Sequence, residues 1–562
     1  MKRLNGDRMR LVVFGIAAGI VFGGGIVKAD FTFGEPVNLG PTVNSSSGDA
    51  PDCISYDGLE LYFDSNRSGG YGGWDLWVST RETIDDDWGA PVNLGPEVNT
   101  SRSDACAIIS ADGLELYFTS YNRSGGYGGW DVWVTRRSTK DEAWGTPVNL
   151  GPPINSSADE GTPNISPDGL ELYFGSIRPG GYGSDDIWVS KRATKNDPWG
   201  EPMNLGPIVN SPSSESITFL SPNGLLLFFS EDTGQPIRSG GFGNIDLWVT
   251  RRSSVSDPWG TPVNLGPIVN TSSLDGGPVI SFDGSTLYFA SERPGGYGGA
   301  WGDIYQSQII PLIDLNADGI VDATDMCIVV DHWGENYSLC DIGPTPLGDG
   351  IVDVEDLVAL SEHLFKEVDD PTLVAHWPLD EAEGMVVADG AGGNDGNALG
   401  DPVWLHDGGQ VNGALHLDGV DDYVVTGAAP TPEGNSYSVL AWIKGGAPGQ
   451  VVLSQMGTAD WLCANPSAGT LMTELTMAGR DGSSLDSEAI ITDGNWHRIG
   501  FVWDGSYRRL YVDGVIVAED VQDNLDVSSN GFYFGTGKGM ESGTFFSGLI
   551  DDVRIYNRVV YP

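Results

Sequence analysis

The sequence contains little cysteine, histidine or basic residue. Of 562 residues only 5 are Cys, 6 are His and 29 are Lys or Arg, whereas 78 are Asp or Glu. So few cysteines in a chain of this length exclude a disulfide framework as its main source of stability. The formal net charge of −49 repels nucleic acid and anionic lipid, and it favours a soluble exported protein that meets divalent cations.

The cysteine positions leave two local bridges open. Cys327 and Cys340 are close in sequence, so they can form a disulfide. Cys53 and Cys106 lie in neighbouring repeats, two positions out of register, and a bridge between them is a second option. Cys463 is then left over.

Long apolar runs are absent beyond the N-terminus. There, four basic residues precede the run LVVFGIAAGIVFGGGIV, which ends at the small-residue site VKA. This arrangement predicts a secretory signal peptide over residues 1–29, cut before Asp30. A membrane anchor is the alternative, although the run is rich in Gly and short for a span. We therefore expect a secreted, cell-surface or periplasmic protein with no stable membrane insertion after cleavage.

Glycine is abundant, and it separates five copies of one phrase, WGxPVNLGPxVN. The copies start at Phe33, Trp88, Trp144, Trp199 and Trp259, 55 to 60 residues apart. Between them lie DGLELYF and GGYGGWDLWV segments, in which apolar residues alternate and turn residues mark the ends, as in β-strands. Each unit thus predicts four antiparallel strands, the content of one β-propeller blade. These residues resemble the TolB-like, WD-like propeller repeats.

The first copy of the phrase precedes the first complete unit, whereas the last unit lacks an outer strand of its own. The phrase at 33–44 can fill that position by pairing with DIYQSQI, which starts at Asp303. Such closure removes two exposed sheet edges. We predict a mainly β protein whose residues 30–311 form a five-bladed β-propeller closed by its N-terminal strand.

An acidic residue lies eight positions before each DG or NG turn, and an Arg precedes each Gly-Gly turn. The acids are Asp49, Asp104, Glu160, Glu215 and Asp275. One interpretation is a glycosidase site, because sugar hydrolysis commonly uses paired carboxylates. The other is structural: each acid binds turn amides or the Arg of its own blade. Catalysis needs unlike environments for its acid and base, so a fivefold repeat favours the structural interpretation.

Residues 312–370 change character and begin with DLNADGIVDATD. Oxygen side chains at alternate positions, a glycine at position 6 and an acid that starts a helix are typical of a calcium loop. The predicted Ca²⁺ ligands are Asp314, Asn316, Asp318, the carbonyl of Ile320, Asp322 and Asp325. A second loop predicts Asp341, Asp349, Asp353 and Asp356 as ligands, provided that the residues around Pro344 bulge out.

Paired loops of this kind, each followed by a helix, resemble type I dockerin domains. The resemblance implies a cohesin-like partner, recognised at loop positions 10 and 11. Those positions are Ala323, Thr324, Val354 and Glu355. The insertion in the second loop and the location between two domains weaken this interpretation. A calcium-rigidified spacer between the two domains is therefore an equally good alternative.

Residues 371–562 alternate strands with DG, GG and NG turns, which predicts an antiparallel β-sandwich. The segments GALHLDGVDDYV and FSGLIDDVRIYNR resemble laminin G-like, concanavalin A-like jelly-roll domains. That resemblance implies one structural calcium ion, with Asp389, Asn394 and Asp551 as its ligands. Ordinary turn chemistry is the alternative role for these three residues.

The sequence predicts no catalytic residues outside the repeated acids. We therefore expect an exported, calcium-binding scaffold protein that recognises polysaccharide or a surface protein. Two alternatives stay open: a glycoside hydrolase of polysaccharide catabolism that acts on O-glycosyl bonds through the five repeated acids, and a structural protein of the cell envelope.

Overall fold

The structure is a computed structural model that describes most of the chain. The described residues are 31–232, 238, 241–299, 301–317, 319–337, 340–364, 370, 372–427, 436–475, 484–505, 507–522, 525 and 530–560. The predicted signal peptide and the predicted ligand Asp318 lie outside them. Within these ranges, none of the helices has the length and apolarity needed to cross a bilayer.

Two short strands, β1 (Phe31–Phe33) and β2 (Val37–Asn38), are followed by four blades of four strands each and by a fifth blade with three strands of its own. Blade 1 comprises β3 (Asp49–Ile54), β4 (Glu60–Ser65), β5 (Asp75–Thr80) and β6 (Val92–Asn93), and blade 2 comprises β7 (Asp104–Ile109), β8 (Glu115–Tyr121), β9 (Trp130–Arg136) and β10 (Val148–Asn149). Blade 3 comprises β11 (Glu160–Ile165), β12 (Glu171–Ser176), β13 (Asp186–Lys191) and β14 (Met203–Asn204), and blade 4 comprises β15 (Ser214–Leu220), β16 (Leu226–Asp232), β17 (Ile245–Arg251) and β18 (Val263–Asn264). Blade 5 contains β19 (Asp275–Ile280), β20 (Thr286–Ser291) and β21 (Asp303–Pro311).

The repeated phrase VNLGPxVN explains why each outer strand has only two residues. In blade 1 the Oδ1 atom of Asn99 accepts from the amide of Leu76, and its Nδ2 donates to the carbonyl of Leu76. The same Nδ2 donates to Oδ1 of Asn93 in β6. A side-chain amide thus replaces the missing strand residues as a partner for the buried backbone of the third strand.

The N-terminal segment completes blade 5, as predicted. β1 pairs antiparallel with residues 309–311 of β21, and β2 pairs with Tyr305 and Gln306. Asn44 exchanges both amide bonds with Ile304, at 2.9 Å each. The inner strand β19 then lies beside β3, so the ring closes, and β21 is paired on its outer side as the third strands of the other blades are.

Two short helices follow, α1 (Ala323–Asp331) and α2 (Val354–Ser361). Each begins with a capping box, in which the N-cap aspartate binds an amide of the first turn and the third residue binds back. A small apolar core holds the pair together, and its members include Val321, Val329, Ile342 and Leu360.

The remaining strands form two eight-stranded sheets packed as a sandwich. One contains β22 (Leu373–Trp377), β25 (Val403–Leu405), β26 (Ala414–Asp418), β28 (Tyr437–Gly445), β33 (Trp496–Trp503), β34 (Tyr507–Val512), β35 (Val515–Val521) and β37 (Ser547–Tyr556). The other contains β23 (Val386–Val387), β24 (Gly396–Leu399), β27 (Tyr423–Thr426), β29 (Val451–Gln455), β30 (Ala459–Ala464), β31 (Thr470–Thr473), β32 (Leu485–Ile490) and β36 (Phe532–Phe534). Trp377, Phe501, Phe534 and Ile555 lie in the shared core. The predicted fold class, a mainly β chain with a five-bladed propeller and a C-terminal sandwich, is confirmed.

The disulfides that the sequence left open are not formed. All five cysteines are free thiols, and Cys340 instead donates to the carbonyl of Ile328 at 3.8 Å. Closeness in sequence thus did not identify a bridge, because a disulfide also requires matched directions of the two Cβ atoms.

Candidate functional site

The five repeated acids are completely buried and each has a guanidinium partner. Oδ2 of Asp49 accepts from the amide and hydroxyl of Ser45, while its Oδ1 accepts from the hydroxyl of Ser65 and from Arg67. The corresponding ion pairs are Arg123–Asp104 at 3.6 Å, Arg178–Glu160 at 3.1 Å, Arg238–Glu215 at 3.2 Å and Arg293–Asp275 at 2.9 Å. These are the contacts that the structural interpretation predicts.

A second repeated acid holds the Gly-Gly turn. In blade 3 both carboxylate oxygens of Asp186 accept from turn amides, those of Tyr182 and Gly183. Asn204 of the outer strand donates to the same carboxylate at 2.9 Å. Two acids in each blade thus serve the turns of that blade.

The first predicted calcium loop gathers buried oxygen atoms. Asp314, Asn316 and Asp325 are at most 7% exposed. Oδ1 of Asp325 accepts from the amides of Leu315 and Asn316, and Oδ2 of Asp314 accepts from the amide of Gly319. Gly319 has a φ of +90°, the conformation that the sharp turn at position 6 requires.

The second loop repeats this arrangement despite its insertion. Oδ2 of Asp341 accepts from the amide of Gly350, nine residues on, where the first loop spans five. Oδ1 of Asp356 accepts from the amides of Ile342 and Gly343, as Asp325 does in the first loop. The sequence placed Asp341 at position 1 of the loop on the condition that the residues around Pro344 bulge out of it. The four extra residues do leave the loop, and Asp341 lies at that position.

The donor set of the second loop fits a divalent cation. Asp341 and Asp356 are both buried, at 3% and 1% exposure. Burial raises the pKa of Asp341 to about 6, and the negative charge of Asp356 acts in the same direction. Two adjacent buried carboxylates are costly unless they share a proton or a cation.

The two loops contact different domains. Arg498 of the sandwich donates to the carbonyls of Asn316 and Ala317 in the first loop, at 3.1 and 2.8 Å. Tyr556, also from the sandwich, donates to the same carbonyl of Ala317. The segment 312–370 is therefore joined to the sandwich through the backbone of its first loop.

The second loop faces the propeller. Asn223 of blade 4 donates to the carbonyl of Gly348 at 2.9 Å, and Asn336 donates to the carbonyl of Ser253 at 2.8 Å. Leu347, from the inserted residues, packs into the propeller core. The insertion that interrupts the calcium-loop sequence is thus a contact with the neighbouring domain.

The helix positions that the dockerin resemblance singles out remain accessible. Ala323, Thr324, Val354 and Glu355 are all exposed. Trp333, at the end of α1, is 48% exposed. Attachment of both loops to neighbouring domains therefore leaves this outer face of the helices free for a protein partner.

The three predicted ligands in the sandwich separate into two places. Asp389 accepts from the amides of His376 and Asn394 and from the side chain of Asn394, which is turn chemistry. Oδ2 of Asp551 accepts instead from the amides of Gln410 and Val411, a different loop. Asp551 is thus anchored to the loop that precedes β26, whereas Asp389 is anchored to its own turn and to His376.

Asp551 has an environment that suits a cation. The residue is completely buried, and its Oδ1 atom has no hydrogen-bond partner. Burial, together with the charges of Asp552 and Asp380, raises the pKa of Asp551 to about 7, although the amides of Val411 and Gln410 act in the opposite direction. Asp380 binds the amide of Gly413 in the same loop.

One cluster was missed by reasoning from the sequence. The ligand-type atoms of Asp52, Asp64 and Cys106 lie within 4.8 Å of one another between blades 1 and 2. These residues do not recur in the other blades, so aligning the five repeats position by position is the signal that could have found them.

A family model matches the C-terminal part of the chain. Residues 418–562 match a family described as the concanavalin A-like lectin/glucanases superfamily. No curated protein matches the chain. Among solved structures, a Trypanosoma rangeli sialidase in complex with 2,3-difluorosialic acid shares 14% identity at a TM-score of 0.36, over 94% of this chain and 97% of the sialidase.

Two further structures are similar to parts of the chain. TolB from Acinetobacter baumannii shares 15% identity at a TM-score of 0.30, over 48% of this chain and 56% of TolB. Domain 4 of AbnA, a GH43 extracellular arabinanase from Geobacillus stearothermophilus in complex with arabinotriose, shares 21% identity at a TM-score of 0.24, over 34% of this chain and 94% of that domain. Likenesses at this level carry no information on activity.

Proposed function

We propose that this protein is an exported, calcium-stabilised binding protein that recognises polysaccharide. In this proposal the paired calcium loops hold the propeller and the concanavalin A-like sandwich in one fixed arrangement. The observation that carries it is the double attachment of segment 312–370, whose first loop binds the sandwich through Arg498 and whose second loop binds the propeller through Asn223.

Calcium fits both loops by their donor chemistry. The first loop offers carboxylate and amide oxygens at positions 1, 3, 9 and 12, and the second offers carboxylates at positions 1, 5, 9 and 12, which are hard ligands of the kind that Ca²⁺ prefers. When bound, the ion neutralises the crowded carboxylates and ties each loop to the start of its helix. Asp314, Asn316, Asp322 and Asp325 would hold the first ion, and Asp341, Asp349, Asp353 and Asp356 the second.

Binding rather than hydrolysis is favoured by the environment of the repeated acids. All five are inaccessible and paired with Arg, so a substrate reaches none of them without rearrangement of the blade. The concanavalin A-like sandwich supports a carbohydrate as the ligand. The exposed helix face around Val354 supports, in addition, a cohesin-like protein partner.

The test combines scattering with glycan binding. For the full chain after signal removal, we expect two calcium ions to bind segment 312–370, and chelation to broaden the distribution of distances between propeller and sandwich in small-angle X-ray scattering. Asp325→Ala with Asp356→Ala should give the chelated profile at saturating calcium. Asp331→Ala removes an exposed acid of the same segment and is the matched control.

A glycan array probed with the same protein checks the ligand class. Calcium-dependent retention on plant or algal polysaccharides without release of reducing ends supports the proposal. Release of reducing ends that Glu160→Gln or Glu215→Gln abolishes would establish the hydrolase alternative instead. A scattering profile that chelation leaves unchanged contradicts the calcium-braced arrangement.

A further inference from the structure

The inner strand of every blade carries a β-bulge. The residues at one repeated position of this strand are Pro51, Cys106, Thr162, Ile217 and Gly277, and in blade 1 Pro51 is paired with Phe63, so that the register shift falls at Asp52. In blades 2, 3 and 5 the amide of this residue donates to a side chain in the second strand of the previous blade. The residues at that second-strand position, in order from blade 1 to blade 5, are Asp64, Thr119, Gly175, Ser230 and Ala290.

A hydroxyl is sufficient to satisfy the bulge amide. Oγ1 of Thr119 accepts from the amide of Thr162 at 3.1 Å. Oγ of Ser230 accepts from the amide of Gly277 at 2.9 Å. In blade 1 the residue at this position is Pro51, which has no N–H, and the equivalent residue of the previous blade is Ala290, which has no acceptor in its side chain.

Between blades 1 and 2 this position holds a carboxylate instead. Oδ2 of Asp64 accepts from the amide of Cys106 at 3.3 Å. Asp64 is only 7% exposed, so the charge that it adds to the hydrogen bond is desolvated. A hydroxyl would make the same bond without that cost, and the fold therefore does not explain the carboxylate.

Asp52 adds a second carboxylate that no other blade has. Its equivalents in the repeats are Ala107, Pro163, Thr218 and Pro278. The Oδ2 atom of Asp52 is buried and has no hydrogen-bond partner. Burial raises the pKa of Asp52, and the nearby charge of Asp64 raises it further, although the amides of the facing bulge act in the opposite direction.

Cys106 completes the cluster with a sulfur atom. Its φ of +56° places it in the left-handed region, which favours glycine and costs a side-chain residue about 1 kcal/mol or more. In blade 5 the equivalent residue is Gly277. The thiol, the carboxylate of Asp64 and the carboxylate of Asp52 each offer one ligand atom, and all three atoms lie within 4.8 Å of one another.

We propose that Asp52, Asp64 and Cys106 bind a divalent transition-metal ion of the zinc type inside the propeller. Two carboxylate oxygens and one thiolate match the ligands and the number that Zn²⁺ takes in sites that keep a position open. Calcium is disfavoured, because it takes six to eight oxygen ligands. Asp52 and Cys106 are partly accessible, so an ion can enter the site and water can occupy its open position.

The site carries its own test, independent of glycan binding. The full chain after signal removal is reduced, stripped of metal, saturated with Ca²⁺ to occupy the loops, and titrated with Co²⁺ as the probe. We expect one equivalent of Co²⁺ to bind with a thiolate-to-cobalt charge-transfer band, and Zn²⁺ to displace it. Cys106→Ser should abolish the band and weaken Zn²⁺ binding by about 100-fold or more.

Two variants keep the result interpretable. Asp64→Thr reproduces the hydroxyl of blade 2, so the propeller stays folded by circular dichroism while Co²⁺ affinity is lost. Cys327→Ser removes an exposed thiol outside the propeller and should leave the band unchanged. A band that survives in Cys106→Ser, or a wild-type protein that binds no Co²⁺ after reduction, would overturn the proposal.

Discussion

The propeller contains two sets of inner acids, one that recurs in every blade and one whose members each occur in a single blade. Asp49 and its four equivalents recur in every blade, and each has an Arg and several hydrogen-bond donors. Asp52, Asp64 and Asp185 occur once, and two of them keep a buried oxygen without a partner. The repeated acids are completely buried and each is paired with an Arg, whereas Asp52 and Asp185 are only partly buried, so the two sets differ in the partners that the blade supplies.

Whether an acid recurs in every blade therefore indicates whether the fold of the blade requires it. A group that each blade needs in order to fold is present in each blade, with its partner beside it. A group that one blade alone carries, at a cost in desolvation, must be accounted for by something other than the blade. The comparison can be tested by variants that exchange one kind of residue for the other.

The largest effect is expected for a repeated acid. Asp275→Ala leaves Arg293 buried without its partner at 2.9 Å and should lower the free energy of unfolding by about 3–5 kcal/mol. Thermal or urea denaturation measures this loss. Glu292→Ala removes an exposed acid from the neighbouring position and should change stability by less than about 0.5 kcal/mol. If the two variants lost the same free energy of unfolding, Asp275 would have no special structural role.

Replacing an acid that occurs in one blade only, Asp64, should stabilise the metal-free protein rather than destabilise it. In metal-free protein at pH 7, Asp64→Thr should raise the free energy of unfolding by more than about 1 kcal/mol, because threonine satisfies the amide of Cys106 without a buried charge. Urea denaturation with chelator present compares the variant with the wild type. If the variant is less stable than the wild type, the carboxylate has a structural partner that the hydrogen bonds do not reveal.

The pH dependence of stability should report the ionisation of Asp185. Burial, followed by the charges of Asp186 and Asp159, raises the pKa of Asp185 to about 7. The folded state then binds its proton more tightly than the unfolded state, so this residue contributes stability at low pH that is lost as pH rises from about 4 to about 7.

Asp185→Asn should remove that part of the slope. Melting temperatures measured from pH 4 to pH 8 in wild type and variant give the comparison. The difference between the two proteins should grow with pH and level off above about pH 7. A constant difference across this range would show that Asp185 does not titrate there.

The smallest effect is expected at the bulge amides. Ser230→Ala leaves the amide of Gly277 without its acceptor at 2.9 Å and should cost about 1 kcal/mol. Ser256→Ala removes an exposed hydroxyl and is expected to be neutral within the error of denaturation experiments. Unchanged stability in Ser230→Ala would mean that water replaces the hydroxyl at the bulge.

Most of the fold could be predicted from the sequence because its signals are local and repeated. Alternating apolar residues between DG and GG turns identify the strands, and the displaced copy at 33–44 identifies the strand that closes the ring. The turn at Gly319 and the capping box at the start of α1 are equally local, since Asp314 to Asp325 form one continuous stretch. Segments with such internal periodicity specify their own structure.

What could not be predicted depends on contacts between distant residues. Asp64 and Cys106 lie 42 positions apart and look like ordinary strand residues until the blades are packed. Asp551 was grouped with Asp389 by resemblance, yet it binds the amides of Gln410 and Val411, about 140 residues earlier. The insertion in the second loop reads as a defect in the sequence, although Leu347 packs in the propeller core.

The closing strand has a consequence for how the protein is made. Its residue Asn38 donates to Asp303, 265 positions later. The first-synthesised strand of the ring therefore has no partner until the last strand has been synthesised. At a synthesis rate of about 5–20 residues per second, the nascent chain stays an open arc for on the order of ten seconds to a minute. During this interval it is the growing polypeptide, rather than the finished molecule, that needs protection by chaperones.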